Sequence, residues 1–358
     1  MSVSRLRLLT ALLAVAMVAT ACSGGGGDAL DPTEGDLIDG QRLVSFSGDG
    51  GLKLGGTLGV PDGGGPAPGV LIIPSLDPRL DRDGIASTTD PDLVYEDISK
   101  ALNAAGMVTL RYDRRGVGAS KLESGSDAPT YEQVQGDARG ALAFLAQRGE
   151  VGGSPLAVLG HDVGGWTALA LAAEDPKVKG VVLVSTPGRP LVDVYAEGFR
   201  TSHGPASAER FRQIVAGLLS TGSLPDAEQI SPEHQSVLGQ GQAEMLRGAF
   251  ADSPLADVAK VKVPVLVAVG TTAHVGQTIR VGRIDADTLA SALGPQAQVA
   301  MFDLGPTLLP VPPDPGVPRF DPDDDSTHVG GARTPIPVVR DPAALGRLAS
   351  FLTGSLRS

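Results

Sequence analysis

The spacing of apolar residues divides the chain into short strand-like and longer helix-like segments. Near the start, apolar and polar positions alternate on both sides of a glycine-rich turn, which predicts a β-hairpin formed by residues 41–47 and 52–60. Continuous apolar runs follow, as expected for strands that are covered on both faces of a sheet. They predict six further strands, at residues 69–74, 107–110, 156–159, 178–184, 261–269 and 298–304.

Segments with a helical period lie between these strands and predict helices at residues 93–105, 131–147, 164–173, 286–293 and 342–352. The alternation of strand and helix predicts βαβ units and a doubly wound, mostly parallel sheet. Two segments interrupt it. Residues 187–255 have a helical period and no strand-like run, which predicts an inserted helical cap, and residues 305–339 are rich in Pro and Asp and predict a long functional loop.

A strand–turn–helix motif stands at the centre of the chain. The apolar run at 156–159 ends in Gly160-His161-Asp162-Val163-Gly164, and a helix-forming run follows at once. This pattern is typical of a nucleophile elbow, which holds its middle residue in a strained conformation beside the first N–H of the helix. Flanking glycines let the strand and the helix approach each other. Serine usually occupies the middle position, and here it is Asp162.

Composition limits the classes of function. With 358 residues and 42% apolar residues, the chain is able to bury a full core. A formal net charge of −12 repels phosphate backbones, so we expect no nucleic-acid partner. We expect no cofactor, since the glycines at 63–65 are not flanked by the strand–helix pair of a phosphate-binding loop.

The single cysteine, Cys22, lies at the end of a signal-like N-terminus. Arg5 and Arg7 precede an apolar run at 8–19, and Ala19-Thr20-Ala21-Cys22 has the small residues of a lipoprotein cleavage site. This predicts a signal peptide at 1–21, a lipidated Cys22 and a flexible tether at 22–40. The protein is then expected on the outer side of the cell membrane, held there by its lipid anchor. An ordinary signal peptide with an incidental cysteine is the alternative.

The order of elements and four motifs resemble the α/β-hydrolase superfamily, more narrowly its bacterial serine-aminopeptidase or acyl-peptidase-like branch. The motifs are the elbow and residues 81–84, 111–120 and 187–190. This resemblance covers most of residues 41–356 and implies an α/β-hydrolase fold. It divides the chain into a first core part at 41–186, a helical cap at 187–258 and a second core part at 259–358. It also implies hydrolysis of ester or amide bonds in a small-molecule substrate that binds in the cap cleft.

Four positions depart from the serine chemistry that the resemblance implies. Asp162 replaces the serine, Ala273 stands at the position of the acid, and Thr307 stands at the position of the histidine. Before the oxyanion position at Ser75, Pro74 has no N–H to donate. These departures favour a non-catalytic protein that binds a ligand or partner, while rearranged ester or amide hydrolysis remains open. In the inert case, Asp162 is a carboxylate stabilised at a helix N-terminus.

An aspartate elbow is also similar to that of haloalkane dehalogenases and epoxide hydrolases, which use a carboxylate nucleophile. On this alternative, Asp162 attacks an electrophilic carbon and His328 acts as the base, oriented by Asp285 or Asp287. Leaving-group stabilisation requires a donor. The candidates are Trp166 for a halide and Tyr195, in the predicted cap, for an epoxide oxygen.

The remaining polar residues have structural interpretations. We expect His161 to pack behind the elbow, His203 and His234 to lie at the surface, and His274 to neighbour the missing acid. The acidic run at 321–325 lacks the spacing of a calcium loop, and no metal site is predicted. A last group is expected to form ion pairs at the sheet edge: Arg111, Asp113 and Arg115.

Overall fold

The computed structural model describes residues 34–84, 92–124, 126–239, 243–270, 281–305, 307–308 and 340–357. These residues belong to one compact unit, Thr33–Ser358. Within them, no helix has the length and apolar character needed to cross a membrane. Several sequence predictions lie outside the described residues: the signal peptide, Cys22, Ala273, His274, the acidic run at 321–325 and His328.

A single twisted sheet carries the fold. In the described part of the chain it has eight strands in the order β1-β2-β4-β3-β5-β6-β7-β8. The predicted hairpin is confirmed, since β1 and β2 pair antiparallel, and β2 also pairs antiparallel with β4. All the other pairings are parallel. The strands are β1 Gln41–Ser47, β2 Lys53–Gly59, β3 Gly69–Ile73, β4 Val108–Tyr112, β5 Leu156–His161, β6 Val178–Val184, β7 Val265–Gly270 and β8 Ala297–Phe302.

Helices cover both faces of this sheet. One apolar layer joins the sheet to α2, α3 and α8, and the opposite layer joins it to α1 and α9. Burial on both faces explains why the central strands are continuously apolar. The α-helices in the described residues are α1 Val94–Ala104, α2 Tyr131–Gln147, α3 Gly164–Glu174, α4 Leu191–His203, α5 Pro205–Thr221, α6 Pro232–Leu238, α7 Ala243–Ala251, α8 Arg283–Leu293 and α9 Pro342–Arg357.

Helices α4–α7 form the inserted cap between β6 and β7. Its aromatic interior, which includes Phe199, Phe211 and Phe250, packs against Val163 and Trp166 at the start of α3. The cap therefore lies directly over the elbow. This confirms the predicted α/β-hydrolase fold with a helical insertion.

Element ends differ from the predicted ends by a few residues. Strand β5 continues to His161 because its pairing with β6 extends to Val184. Strand β7 begins at Val265 rather than 261, since residues 258–260 form a 3-10 turn. Helix α9 continues to Arg357 because its last turns still bury Leu356.

Ion pairs hold the sheet edge together, as the sequence predicted. Arg111 Nε lies 2.7 Å from Asp83, and Arg115 Nη2 lies 2.6 Å from Asp137. Asp113 pairs with an arginine of the loop that follows β3, at 2.9 Å. Arg111 and Arg115 are buried and paired with carboxylates, which keeps them in a structural role.

Candidate functional site

The elbow geometry is intact. Asp162 has φ of +53°, in the left-handed region that an L-residue rarely adopts. A Cβ on Gly160 would lie 2.3 Å from the carbonyl oxygen of Gly164, and a Cβ on Gly164 would lie 2.5 Å from that of Pro74. Both positions therefore require glycine, and the tight turn raises the side chain of residue 162 at the carboxyl end of β5.

The carboxylate of Asp162 is buried and held on one side only. The residue is 7% exposed, and its Oδ2 accepts a hydrogen bond from Ser75 Oγ at 2.7 Å. Its Oδ1 is shielded from solvent and has no hydrogen-bond partner among the described residues. Burial raises the pKa of Asp162 to about 6, against the opposing effects of the Ser75 hydroxyl and the Val163 N–H.

Ser75 connects the elbow to a second buried network. Its backbone N–H donates to Tyr95 Oη at 2.9 Å, and Tyr95 Oη lies 2.9 Å from His161 Nδ1. The phenol oxygen accepts from Ser75 and forms a second hydrogen bond with Nδ1, whose direction depends on the tautomer of His161. Burial lowers the pKa of His161 to about 4, so the ring is neutral near pH 7. His161 is thus the packing residue that the sequence predicted. Ser75 acts on Asp162 through its hydroxyl, because its N–H is already donated.

Arg114 is a site residue that the sequence analysis missed. It follows β4 and is 3% exposed, and its Nη2 donates to the carbonyl oxygen of Asp77 at 2.9 Å. Burial lowers the pKa of Arg114, and Tyr95 and Asp162 are among the groups that oppose this effect. In the sequence Arg114 stands between Asp113 and Arg115, which form structural ion pairs. No sequence pattern therefore distinguished Arg114 from these two residues.

Two residues predicted to stabilise a leaving group have different surroundings. Trp166 Nε1–H donates to the carbonyl oxygen of Pro187 at 2.8 Å, so it is not free to hold a halide, and that prediction is wrong. Tyr195 lies on α4. Burial, followed by the charges of Asp162 and Asp77, raises the pKa of Tyr195 well above its usual value. This phenol is therefore neutral, and its side chain packs against the apolar cluster that contains Val163 and Trp166 at the elbow.

Residues 92–279 match the serine aminopeptidase S33 family. The chain belongs to this family. The matched region includes the elbow with Asp162. It also includes all four cap helices.

Individual relatives cover smaller parts of the chain. The chain is 33% identical to esterase EstD of Thermotoga maritima over 141 residues. This segment covers 39% of this chain and 32% of that protein. The chain is also 35% identical to thiohydrolase apmlB of Arthrinium phaeospermum over 92 residues. This second segment covers 26% of this chain and 30% of that protein. The chain spans about a third of the length of these curated relatives.

Solved structures share the fold at low sequence identity. DcsB, in complex with a substrate analogue, aligns with a TM-score of 0.53 at 14% identity, covering 88% of this chain and 99% of that chain. An esterase of Pyrococcus furiosus aligns with a TM-score of 0.50 at 13% identity, covering 74% and 82%. This likeness shows the α/β-hydrolase fold alone.

Three other residues that the sequence analysis singled out each lie beside an arginine. Both oxygens of Asp285 accept hydrogen bonds from Arg189, and Asp287 is exposed beside Arg283. The carbonyl oxygen of Thr307 accepts from Arg340.

The two cap histidines differ from each other. His203 is exposed as predicted. The prediction for His234 is wrong: it is 1% exposed, because its ring bridges Ser231 and Ser207 inside the cap. In the described ranges, no group of three or more His, Cys, Asp or Glu residues is arranged to hold a metal ion.

Proposed function

We propose that this protein is a hydrolase in which the carboxylate of Asp162 attacks the substrate in place of the family's serine. The observation that carries the proposal is the direction of the hydrogen-bond donors. The Ser75 hydroxyl donates to Asp162 Oδ2, and the Val163 N–H also lies close enough to stabilise the ionised carboxylate. In a serine enzyme, such donors face the carbonyl oxygen of the substrate instead.

This arrangement suits a two-step reaction. In the first step, Oδ1 of Asp162 forms a bond to an electrophilic carbon, and the leaving group departs with the bonding electron pair. In the second step, water attacks Cγ of Asp162, and negative charge develops on Oδ2 beside the Ser75 hydroxyl. The Cγ–Oδ1 bond then breaks, the product leaves with the former Oδ1, and Asp162 is again a carboxylate, which now contains the oxygen of the water. We propose His328 as the base that removes the proton from this water.

The surroundings of Asp162 favour a substrate with an oxygen leaving group. Tyr195, neutral and close to Asp162, is suited to donate its proton to a departing oxygen. The N–H of Trp166 is already bonded, which disfavours halide release. The likeness of part of the chain to an esterase supports esters among such substrates. We therefore propose ester hydrolysis of a small molecule that binds between cap and elbow, without a cofactor.

Isotope labelling tests this mechanism. The protein is mixed with a p-nitrophenyl ester in heavy-oxygen water for a single turnover, and the peptide that contains Asp162 is then weighed. One heavy oxygen in that carboxylate is the expected result, since water attacks Cγ. Asp162→Asn should abolish turnover, and Asp287→Asn, which changes the same chemical group on an exposed face, should not. Turnover without label at Asp162 would contradict the attack of water on Cγ, and turnover that persists in Asp162→Asn would rule out the carboxylate nucleophile.

A binding protein without turnover is the second candidate. It is supported by the shielded Oδ1 of Asp162 and by the Ser75 N–H, which is donated to Tyr95 rather than to the cleft. This candidate predicts no turnover of any ester in either the wild type or Asp162→Ser. Measurable hydrolysis that disappears in Asp162→Asn would exclude it.

We also propose that the protein is attached to the outer side of the cell membrane through lipid on Cys22. The support is the N-terminal sequence pattern described above. Cells grown with labelled palmitate should incorporate label into the wild type and not into Cys22→Ser. Equal labelling of the two proteins would contradict the anchor.

A further inference from the structure

Arg114 is a buried cation that the proposed reaction does not use. It lies where the loop after β3 meets cap helix α7. Of its five N–H donors, one reaches the Asp77 carbonyl oxygen at 2.9 Å and another reaches the sulfur of Met245 at 3.8 Å. Its Nε–H is buried and has no partner among the described residues. Thioether sulfur is a weak acceptor, so the guanidinium is poorly satisfied by these contacts.

Arg114 differs in this respect from every other arginine in the described residues that is buried to a similar degree. Arg111, Arg115 and Arg340 each form an ion pair with an aspartate. No carboxylate of the described residues forms an ion pair with Arg114. Burying a cation without a contacting anion lowers the stability of the fold, by several kcal/mol as an order of magnitude. A methionine-sized apolar residue at this position would avoid that loss.

The location of Arg114 links it to the reactive carboxylate. Arg114 donates to the carbonyl oxygen of Asp77, and the Asp77 N–H donates to Ser75 Oγ at 3.2 Å. Ser75 Oγ in turn donates to Asp162 Oδ2 at 2.7 Å, so a short chain of hydrogen bonds connects Arg114 with the elbow carboxylate. The two partners of Arg114 belong to different parts of the fold: Asp77 lies in the core and Met245 in the cap. Arg114 therefore stands at the junction of core and cap, beside the elbow.

We propose that Arg114 binds a carboxylate of the ligand, so that the substrate is an ester that also carries an acidic group away from the reacting carbon. The unpartnered Nε–H lies on the same side of the guanidinium as Nη2, which has a second N–H besides the one that it donates to Asp77. Nε–H and Nη2 together form the fork that matches the two oxygens of a carboxylate. The bound anion neutralises the buried charge and gives the Nε–H the acceptor that it lacks. That the ligand is a substrate rests on the proposed hydrolysis, whereas the anion site rests only on the contacts of Arg114.

Binding tests the site without requiring turnover. Calorimetry compares monomethyl glutarate, which has one free carboxylate, with dimethyl glutarate, which has none. The wild type and the control variant Arg79→Met, which removes an exposed charge from the neighbouring loop, should bind the anion about tenfold to a hundredfold more tightly than the neutral diester. This preference should be lost in Arg114→Met and reduced in Arg114→Lys, whose ammonium lacks the fork.

The outcome also separates this site from the proposed reaction. Equal binding of the two compounds by the wild type, or a preference that persists in Arg114→Met, overturns the anion site. If Arg114→Met does not fold, Arg114→Lys decides, because an unchanged preference there contradicts recognition by the fork. Hydrolysis is compared with p-nitrophenyl hydrogen glutarate and neutral p-nitrophenyl pentanoate. If the protein binds the anion but hydrolyses neither ester, only the proposed reaction is contradicted. If hydrolysis depends on Asp162 but is equally fast for the acidic and the neutral ester, only the anion site is contradicted.

Discussion

Replacing Asp162 by Asn should make the folded protein more stable near neutral pH. The carboxylate is 7% exposed, and burial raises its pKa from 3.8 to about 6. The folded protein thus binds this proton more tightly than the unfolded chain does. This tighter proton binding stabilises the folded protein. The stabilisation is fully present below pH 3.8 and is lost as the pH rises through about 6.

The size of the effect follows from the shift. A difference of about two pKa units, at 1.36 kcal/mol per unit, corresponds to about 3 kcal/mol between the two ends of this range. Asparagine has nearly the same shape, cannot ionise and is still able to accept the hydrogen bond from Ser75. The unfolding free energy of Asp162→Asn, minus that of the wild type, should therefore rise by about 2 kcal/mol from pH 4 to pH 7.

Urea unfolding at pH 4, 5, 6 and 7, followed by circular dichroism, measures this difference. Asp287→Asn, on the exposed face of α8, controls for the effect of exchanging Asp for Asn. A difference between Asp162→Asn and the wild type that does not change with pH would refute the reasoning. A wild type that gains stability over Asp162→Asn as the pH rises would refute it as well, because burial would then not be the dominant influence on the carboxylate.

Three further substitutions address neighbouring contacts. Ser75→Ala removes the hydrogen bond that stabilises ionised Asp162 and so raises the pKa of Asp162 further, and the acidic midpoint of the pH–rate profile should move above that of the wild type; an unchanged midpoint would contradict this. Tyr195→Phe removes the proposed proton donor and should lower kcat about 10²-fold or more for esters with alkyl alcohol leaving groups, and much less for p-nitrophenyl esters; equal losses would exclude the donor. Asp137→Ala leaves Arg115 buried and unpaired and should lower the unfolding free energy by about 3–5 kcal/mol in urea titrations; a loss below about 1 kcal/mol would contradict a structural role for this pair.

A surface ion pair provides the comparison for the last substitution. Arg139 and Glu174 pair at 2.9 Å, and both side chains are about half exposed. Glu174→Ala should change the unfolding free energy by less than about 1 kcal/mol, because water screens this interaction.

The sequence was sufficient to predict the fold and the elbow, because both depend on local patterns. Apolar runs that must be covered on both faces identify the strands, and close backbone contacts require the glycines at 160 and 164. The ends of elements were less predictable. They depend on pairing with distant segments, such as β6 beside the end of β5.

The surroundings of the carboxylate could not be predicted, because they are formed by residues far apart in the chain. Ser75 and Asp162 are 87 positions apart, and Arg114 and Met245 are 131 positions apart. Nor does the sequence reveal that the N–H of Trp166 is already donated to Pro187. His234 shows the same limit, since a polar residue in a polar segment is buried by hydrogen bonds that only the folded cap provides.

The glycines around the elbow have a consequence for protein engineering. The turn at residue 162 is fixed by the backbone packing of Gly160 and Gly164, not by the side chain between them. A hydroxyl, thiol or amide introduced at this position would therefore start from the same point above the sheet. The protein thus provides one unchanged framework on which different reactive groups can be compared directly.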